Sequence, residues 1–132
     1  MSEMSERNSV LVAYGLYLLG AVTGGLTTLA GMILAMVKLD GARGTLFESH
    51  YRNMILVFWV WLAVIVGAGA MILAGVAGVA FSLFAAWPMG GLAVIPAALA
   101  FWLIALGVVA TCLWYYWRLV RGLVLTLDDK PF

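Results

Sequence analysis

The run 10-VLVAYGLYLLGAVTGGLTTLAGMILAMV-37 contains no Asp, Glu, Lys, Arg or His. At about 1.5 Å per residue, an unbroken helix over it exceeds the roughly 30 Å hydrocarbon core of a bilayer, so the run predicts a membrane-crossing helix. A secretory signal peptide is the rival reading, but it needs an apolar core of about 7 to 15 residues behind a basic start. This run is longer. The stretch before it, MSEMSERNS, carries Glu3 and Glu6 beside Arg7 and reads as a short solvated tail.

Composition points the same way. Of 132 residues, 66% are hydrophobic and 10% charged, where a soluble domain typically carries about 25% charged residues. The mean hydropathy is +1.12. A formal net charge of +1 provides no basic footprint for phosphates, which argues against nucleic acid as a partner. The length suits a single domain. Cys112, the one cysteine, cannot close an intrachain disulfide and is read as a packing residue.

Charges return together in KLDGARGTLFESHYRN, residues 38–53, a polar loop that separates the first apolar run from the second. Asp40-Gly41 is a turn signal that ends the first helix. Thr45 with Glu48 fits a capping box and marks the start of the next. Residues 54–86 are again uncharged and predict one long, tilted or bent helix, with Gly67, Gly69, Gly75 and Gly78 as points of bending or close approach. Trp87-Pro88-Met89-Gly90-Gly91 is the next break. Pro96 suits the first turn of a third helix over residues 95–117, and a tail follows at 118–132.

The expected architecture is all-α: an integral membrane bundle of three transmembrane helices. With three crossings, the first loop and the tail share one side and hold Lys38, Arg43, Arg52, Arg118, Arg121 and Lys130, leaving Arg7 opposite. The positive-inside rule then puts the C-terminus in the cytoplasm and the N-terminus outside. Trp59, Trp61, Trp114, Tyr115, Tyr116 and Trp117 would form an aromatic belt at the cytoplasmic boundary.

Spans in lipid associate through close packing helped by small residues. Gly20, Gly24 and Gly31 in the first run, Ala70, Ala74 and Gly78 in the second, and Gly107 in the third are the candidate helix-packing positions. The surfaces serve contacts within the bundle, a homo-oligomer seam, or both.

Pumps, ion pathways and membrane enzymes place costly ionisable groups inside their spans. None occurs here, and no H-E-x-x-H, C-x-x-C, G-x-G-x-x-G or G-x-x-x-x-G-K-[ST] motif is present, so no enzyme activity and no cofactor are expected. The polar cluster Asp40, Arg43, Thr45, Glu48, Ser49, His50 and Arg52 is the candidate interaction loop. Glu48 and Arg52 have the i,i+4 spacing of a helical ion pair. A metal would need three or four ligands, whereas His50 is the sole histidine with scattered carboxylates around it. It is read as an interfacial anchor or hydrogen-bonding residue. In the tail, Arg118 and Arg121 alternate with leucines and valines, a pattern suited to lipid-headgroup contact.

Three segments, YGLYLLGAVTGGLTTLAGMILAMVK (residues 14–38), DGARGTLFESHYRN (40–53, followed by ILVFW) and WYYWRLVRGLVLTLDDKPF (114–132), carry a resemblance over nearly the whole chain. The sequence resembles a family of small bacterial inner-membrane proteins built on a domain of unknown function. That family is distantly grouped with the magnetosome membrane proteins MamF and MmsF and with a chloroplast inner-envelope component of protein import. The most specific element is R-G-T-x-x-E-S-H, here Arg43 to His50. The resemblance implies a shared fold of hydrophobic helices around a polar loop, in the bacterial cytoplasmic membrane, and implies no activity. The resulting expectation is a structural or accessory partner of other membrane proteins or of its own copies; the alternative is an oligomeric channel, transporter or translocation component.

Overall fold

Two glycines with positive φ change the reading of the first apolar run. The computed structural model describes residues 3–20, 22–85, 92 and 94–132. In it, helix α1 (Glu3–Leu19) stops short of Gly24 and Gly25, whose φ values of +63° and +95° lie in the left-handed region, open to glycine without a steric cost. Helix α2 (Leu26–Leu39) then runs back along α1. The register is antiparallel: Gly20 approaches Thr28, Gly31 approaches Tyr17, and Glu6 lies 3.8 Å from Lys38. The single helix expected over residues 10–37 is therefore a helical hairpin. Gly24, expected at a helix-packing surface, belongs to the turn.

Several backbone groups of this turn bond within it. Gly20 N donates to Tyr17 O at 3.1 Å, Thr23 N to Leu19 O at 3.2 Å, and Gly25 N to Gly20 O at 2.9 Å. Thr23 Oγ1 also donates to Leu19 O at 3.2 Å and lies 2.8 Å from Thr27 Oγ1.

Two long helices follow: α3 (Leu46–Ala85) and α4 (Val94–Leu127), of 40 and 34 residues. Both are long and apolar enough to cross a membrane, with mean hydropathies of 2.5 and 2.3 over their most apolar 18 residues. All described regular structure is helical. The start of α3 at Leu46 agrees with the Thr45 signal, with one change in the capping. Glu48 Oε2 accepts from Gly44 N at 2.9 Å, while Thr45 Oγ1 donates to Ala42 O at 2.6 Å. The carboxylate thus reaches one residue beyond the capping-box position, because Gly44 at φ +77° turns its amide toward it. Pro96 lies in the first turn of α4, where a missing N–H costs nothing. The break expected at 87–91 lies outside the described residues. At its other end α4 continues ten residues beyond Trp117, so most of the expected tail is helix.

The chain divides into two compact units. The first comprises residues 1–60 and 114–132 and contains four helical segments, each burying one stripe. On α1 the stripe is Val10, Ala13, Tyr14 and Tyr17; on α2 it is Thr28, Gly31, Met32 and Ala35. On α3 it is Phe47, His50, Tyr51, Met54, Val57 and Phe58; on α4 it is Tyr115, Leu119, Gly122 and Thr126. Spacings of three and four place each set on one helical face. Tyr115, expected in an aromatic belt, is buried and stacks on Tyr17 with ring centroids 6.3 Å apart.

The first turns of α1 and the end of α4 meet in this unit. Arg7 Nη2 donates to Leu127 O at 3.0 Å, and Arg7 Nε, shut off from solvent, faces Asp129 at 3.6 Å. The expectation of termini on opposite faces followed from an odd number of crossings; the turn at Gly24 and Gly25 leaves two helices, α3 and α4, long and apolar enough to cross a membrane.

The second unit, residues 61–113, contains no charged residue. Its two helical stretches line a shared apolar groove of about 390 Å³ that includes Met71, Gly75, Val79, Ala97, Phe101 and Ile104. Ala70 and Ala74 are exposed, and a Cβ added at Gly78 or Gly107 would meet nothing within 4 Å. Of the candidate packing positions, Gly20 and Gly31 are at close contacts within the chain, and these four are open.

Candidate functional site, a buried polar network

Asn53 is the last polar residue before the uncharged part of α3, and it links a line of side chains through the first unit. Arg118 Nε on α4 donates to Asn53 Oδ1 in a short contact. Asn53 Nδ2 donates to the Tyr14 hydroxyl at 3.3 Å, and that hydroxyl lies 3.2 Å from His50 Nδ1. On the other side of the ring, His50 Nε2 lies 2.8 Å from Lys130 O.

The two ends of this line fix its polarity. A guanidinium can only donate and a carbonyl can only accept, so Nε2 carries the proton, Nδ1 accepts, and Tyr14 donates to it. Thr126 Oγ1, 3.3 Å from the same Nδ1, donates to Gly122 O at 2.8 Å. His50, Tyr14 and Thr126 are fully buried, and Asn53 nearly so. Each has partners, as buried polar groups require.

Beside this line the C-terminal segment folds over the start of α3. Phe132 N donates to Ser49 Oγ at 2.9 Å, and the Phe132 ring stands edge-on to His50. The Arg118 guanidinium lies 4.9 Å above the same ring and 5.2 Å from Trp114; Arg121 lies 5.3 Å from Trp117. Two more tyrosines tie the hairpin down: Tyr17 Oη donates to Met54 O at 2.9 Å, and Tyr115 Oη donates to Tyr17 O at 3.2 Å.

The candidate loop is divided by these contacts. Asp40 with Arg43 at 2.8 Å, and Glu48 with Arg52 at 3.2 Å, form exposed or half-exposed ion pairs, each worth a few tenths of a kcal/mol in order of magnitude. Ser49 and His50 face inward and hold the C-terminal segment. Arg118, expected at lipid headgroups, is engaged with Asn53, Trp114 and Phe132, whereas Arg121 is exposed. Among the described residues no group of three or more His, Cys, Asp and Glu side chains is placed to hold a metal. Nothing in the sequence singles out Tyr14, Asn53, Gly122 or Thr126. Their partners lie 36 to 76 positions away along the chain where a side chain meets His50, so no local pattern announces them.

What the network does chemically is to hold three helices, α1, α3 and α4, and the C-terminal end together. Its one group that titrates near neutrality is His50, which precedes the uncharged run. Burial lowers its pKa below the ordinary histidine value, opposed by the bond to the Lys130 carbonyl. The folded state thus prefers the neutral ring, and the unfolded chain binds more protons. Stability from this source is full above the unfolded value of about 6.5 and is lost as pH falls below it. The apparent melting midpoint in mild detergent should drop between pH 7.5 and pH 5, and His50→Asn should flatten that part of the profile. No family model, no curated protein and no solved structure matches this chain.

Proposed function

We propose that the chain is a multi-pass protein of the bacterial cytoplasmic membrane that serves as a structural or accessory partner of other membrane proteins or of its own copies. The proposed topology has two crossings, within residues 54–117 of α3 and α4. The α1–α2 hairpin enters the bilayer from the side of the charged segments and returns to it.

The observation that carries this reading is the placement of charge. All seven Lys and Arg and all six Asp and Glu fall outside residues 61–113, and contacts such as Arg7 with Asp129 and Lys38 with Glu6 join the charged segments to one another. With every cation on one side, the positive-inside rule assigns that side to the cytoplasm. The apolar parts of the hairpin, residues 10–19 and 26–37, are about 15 and 18 Å long, too short to cross a core of roughly 30 Å. Their outer face, with Val12, Leu29, Ile33 and Met36 exposed, suits lipid.

The accessory role is supported by what the helices leave open and what they close. Ala70, Ala74, Gly78 and Gly107 offer close approach to a neighbouring helix. The hydroxyls of Ser82 and Thr111 donate to their own helix carbonyls, Gly78 O and Gly107 O, rather than lining a polar path. Resemblance of the Arg43 to His50 segment to small inner-membrane proteins supports the location.

Cysteine labelling tests the topology in a Cys112→Ala background. Asn8→Cys and Asp40→Cys should both react with an impermeant maleimide only after the membrane is opened, and Leu92→Cys should react from outside. Labelling of Asn8→Cys in intact cells would refute the returning hairpin. For the role, affinity purification in mild detergent should recover a stoichiometric membrane partner or a homo-oligomer, and vesicles containing the protein alone should stay tight to ions.

A further inference from the structure

Five of the seven Lys and Arg side chains have a carboxylate within 3.8 Å: Arg7 meets Asp129, Lys38 meets Glu6, Arg43 meets Asp40, Arg52 meets Glu48 and Lys130 meets Asp128. Among the described residues, Arg118 and Arg121 meet none. One aromatic ring joins these two, since Phe132 lies 4.9 Å from the Arg118 guanidinium carbon and 5.8 Å from that of Arg121. Arg118 is fixed by the chain itself: its Nε donates to Asn53 Oδ1 and its guanidinium lies 5.2 Å from the Trp114 ring. Its Nη groups have no protein partner and stay open to solvent. Arg121 is exposed, over Trp117 at 5.3 Å. Two like charges around one ring repel each other, and an anion seated on both guanidinium edges removes that cost. Beside them α4 exposes Trp117, Val120, Val124 and Leu127, each 50% open or more. Spacings of three and four place these on one face, away from the buried stripe of Tyr115, Leu119, Gly122 and Thr126. At about 100° per residue, Arg121 and Arg118 fall along the border between the two faces.

We infer that Arg118, Arg121 and Phe132 form a binding site for one anionic phospholipid, whose phosphodiester bridges the two guanidinium groups and whose acyl chains run along Trp117, Val120 and Val124. The planar guanidinium fork matches phosphate oxygens with two parallel N–H bonds, which an ammonium cannot offer. Arg118 is preorganised for this, because Asn53 takes its Nε and leaves the Nη edge outward, so little side-chain freedom is lost on binding. The platform is fixed as well: Phe132 N donates to Ser49 Oγ and its ring stands edge-on to His50. Trp117 beside the arginines suits the level where headgroups give way to acyl chains. An acidic protein segment would pair with the arginines and leave the apolar stripe bare, whereas a lipid covers both. The site lies wholly within the first compact unit and needs no particular number of crossings. It rests only on the membrane location proposed above.

The test uses the full chain in a mild neutral detergent, with dioleoyl phosphatidylglycerol, dioleoyl phosphatidylcholine and inorganic phosphate as probes. Native mass spectrometry should show one phosphatidylglycerol retained per chain, with phosphatidylcholine held at least about fivefold more weakly, the worth of roughly one charge at an anionic surface. Arg121→Gln, a change at an exposed side chain, should lower the affinity for phosphatidylglycerol about fivefold for the same reason. Phe132→Ala should weaken it as well by releasing both guanidinium groups. The melting midpoint of each lipid-free variant, read beside its affinity, separates loss of the site from loss of the fold. Equal retention of the two lipids, or an Arg121→Gln chain that holds phosphatidylglycerol as tightly as wild type, overturns the site and leaves the membrane location standing. Inorganic phosphate that displaces the lipid at equal concentration would make the free anion the ligand and overturn the lipid site. A short glutamate-rich peptide that does so would assign the arginines to a protein partner, with the same result. A chain that stays monodisperse once detergent is removed overturns the membrane location itself, whatever the lipid result.

Discussion

Asn53→Ala is expected to destabilise the chain by about 2 to 4 kcal/mol, from the loss of a hydrogen bond to a charged group, about 1.5 to 3 kcal/mol, and of a neutral one, about 1 kcal/mol. The alanine removes both the acceptor that Arg118 Nε uses and the donor that reaches Tyr14 Oη. Arg118 would retain the faces of Trp114 and Phe132, which attract the cation but offer no lone pair along its N–H. Tyr14 would retain His50 as an acceptor but lose the bond it receives. In mild detergent at fixed scan rate the apparent melting midpoint should fall by more than about 10 °C. Asn53→Asp should be milder, since a carboxylate accepts from Arg118 and only the bond to Tyr14 is lost. Adding Arg118→Met to Asn53→Ala should recover part of the loss, because the stranded cation is then gone and residues in one network do not act additively. Equal midpoints for wild type and Asn53→Ala would mean that the line from Arg118 to Lys130 holds nothing together.

The long helices are legible in the sequence because their signal is additive. Charge-free stretches at 54–86 and 95–117 sum to a hydropathy that no single residue can overturn, and α3 and α4 cover residues 54–85 and 95–117 of them. The first run defeats the same arithmetic. Counting apolar residues from Val10 to Val37 cannot register that Gly24 and Gly25 together reverse the chain, since glycine is neutral on a hydropathy scale and decisive on a backbone map. The available signal is the cluster VTGGLTT, whose small and hydroxyl residues bond a turn internally. The expected orientation rested on counting that run as a crossing, so the proposed topology puts the N-terminus on the other face. The loop is legible in part. Glu48 and Arg52 pair as their spacing predicts, a purely local matter. Ser49 and His50 act through Phe132 and Lys130, more than 75 residues away, and one sequence contains no record of that proximity.

The same limit hides Gly122, and the second large effect is expected there. A Cβ built at this position would fall on the Tyr14 hydroxyl and lie 2.8 Å from Cε1 of the ring, closer than side-chain carbons pack. Tyr14 cannot yield easily: it is fully buried, and its hydroxyl is held between Asn53 and His50. Gly122→Val should therefore cost more than the usual 1 to 3 kcal/mol or so of an overpacked core. Pushing the ring aside also strands buried donors and acceptors, at about 1 to 3 kcal/mol each. In the cell the result should be a chain degraded or trapped before assembly. In detergent it should show a broadened transition at a midpoint well below wild type. Helix propensity alone would favour the opposite sign, since glycine inside a helix is about 1 kcal/mol worse than alanine, so Gly122→Ala discriminates between the two effects. If contact with Tyr14 decides, Gly122→Ala destabilises in the wild-type background and does so less when combined with Tyr14→Phe, which removes the nearest atom. If propensity decides, Gly122→Ala stabilises in both backgrounds, and the close approach of α4 to α1 is not what holds the hairpin in place.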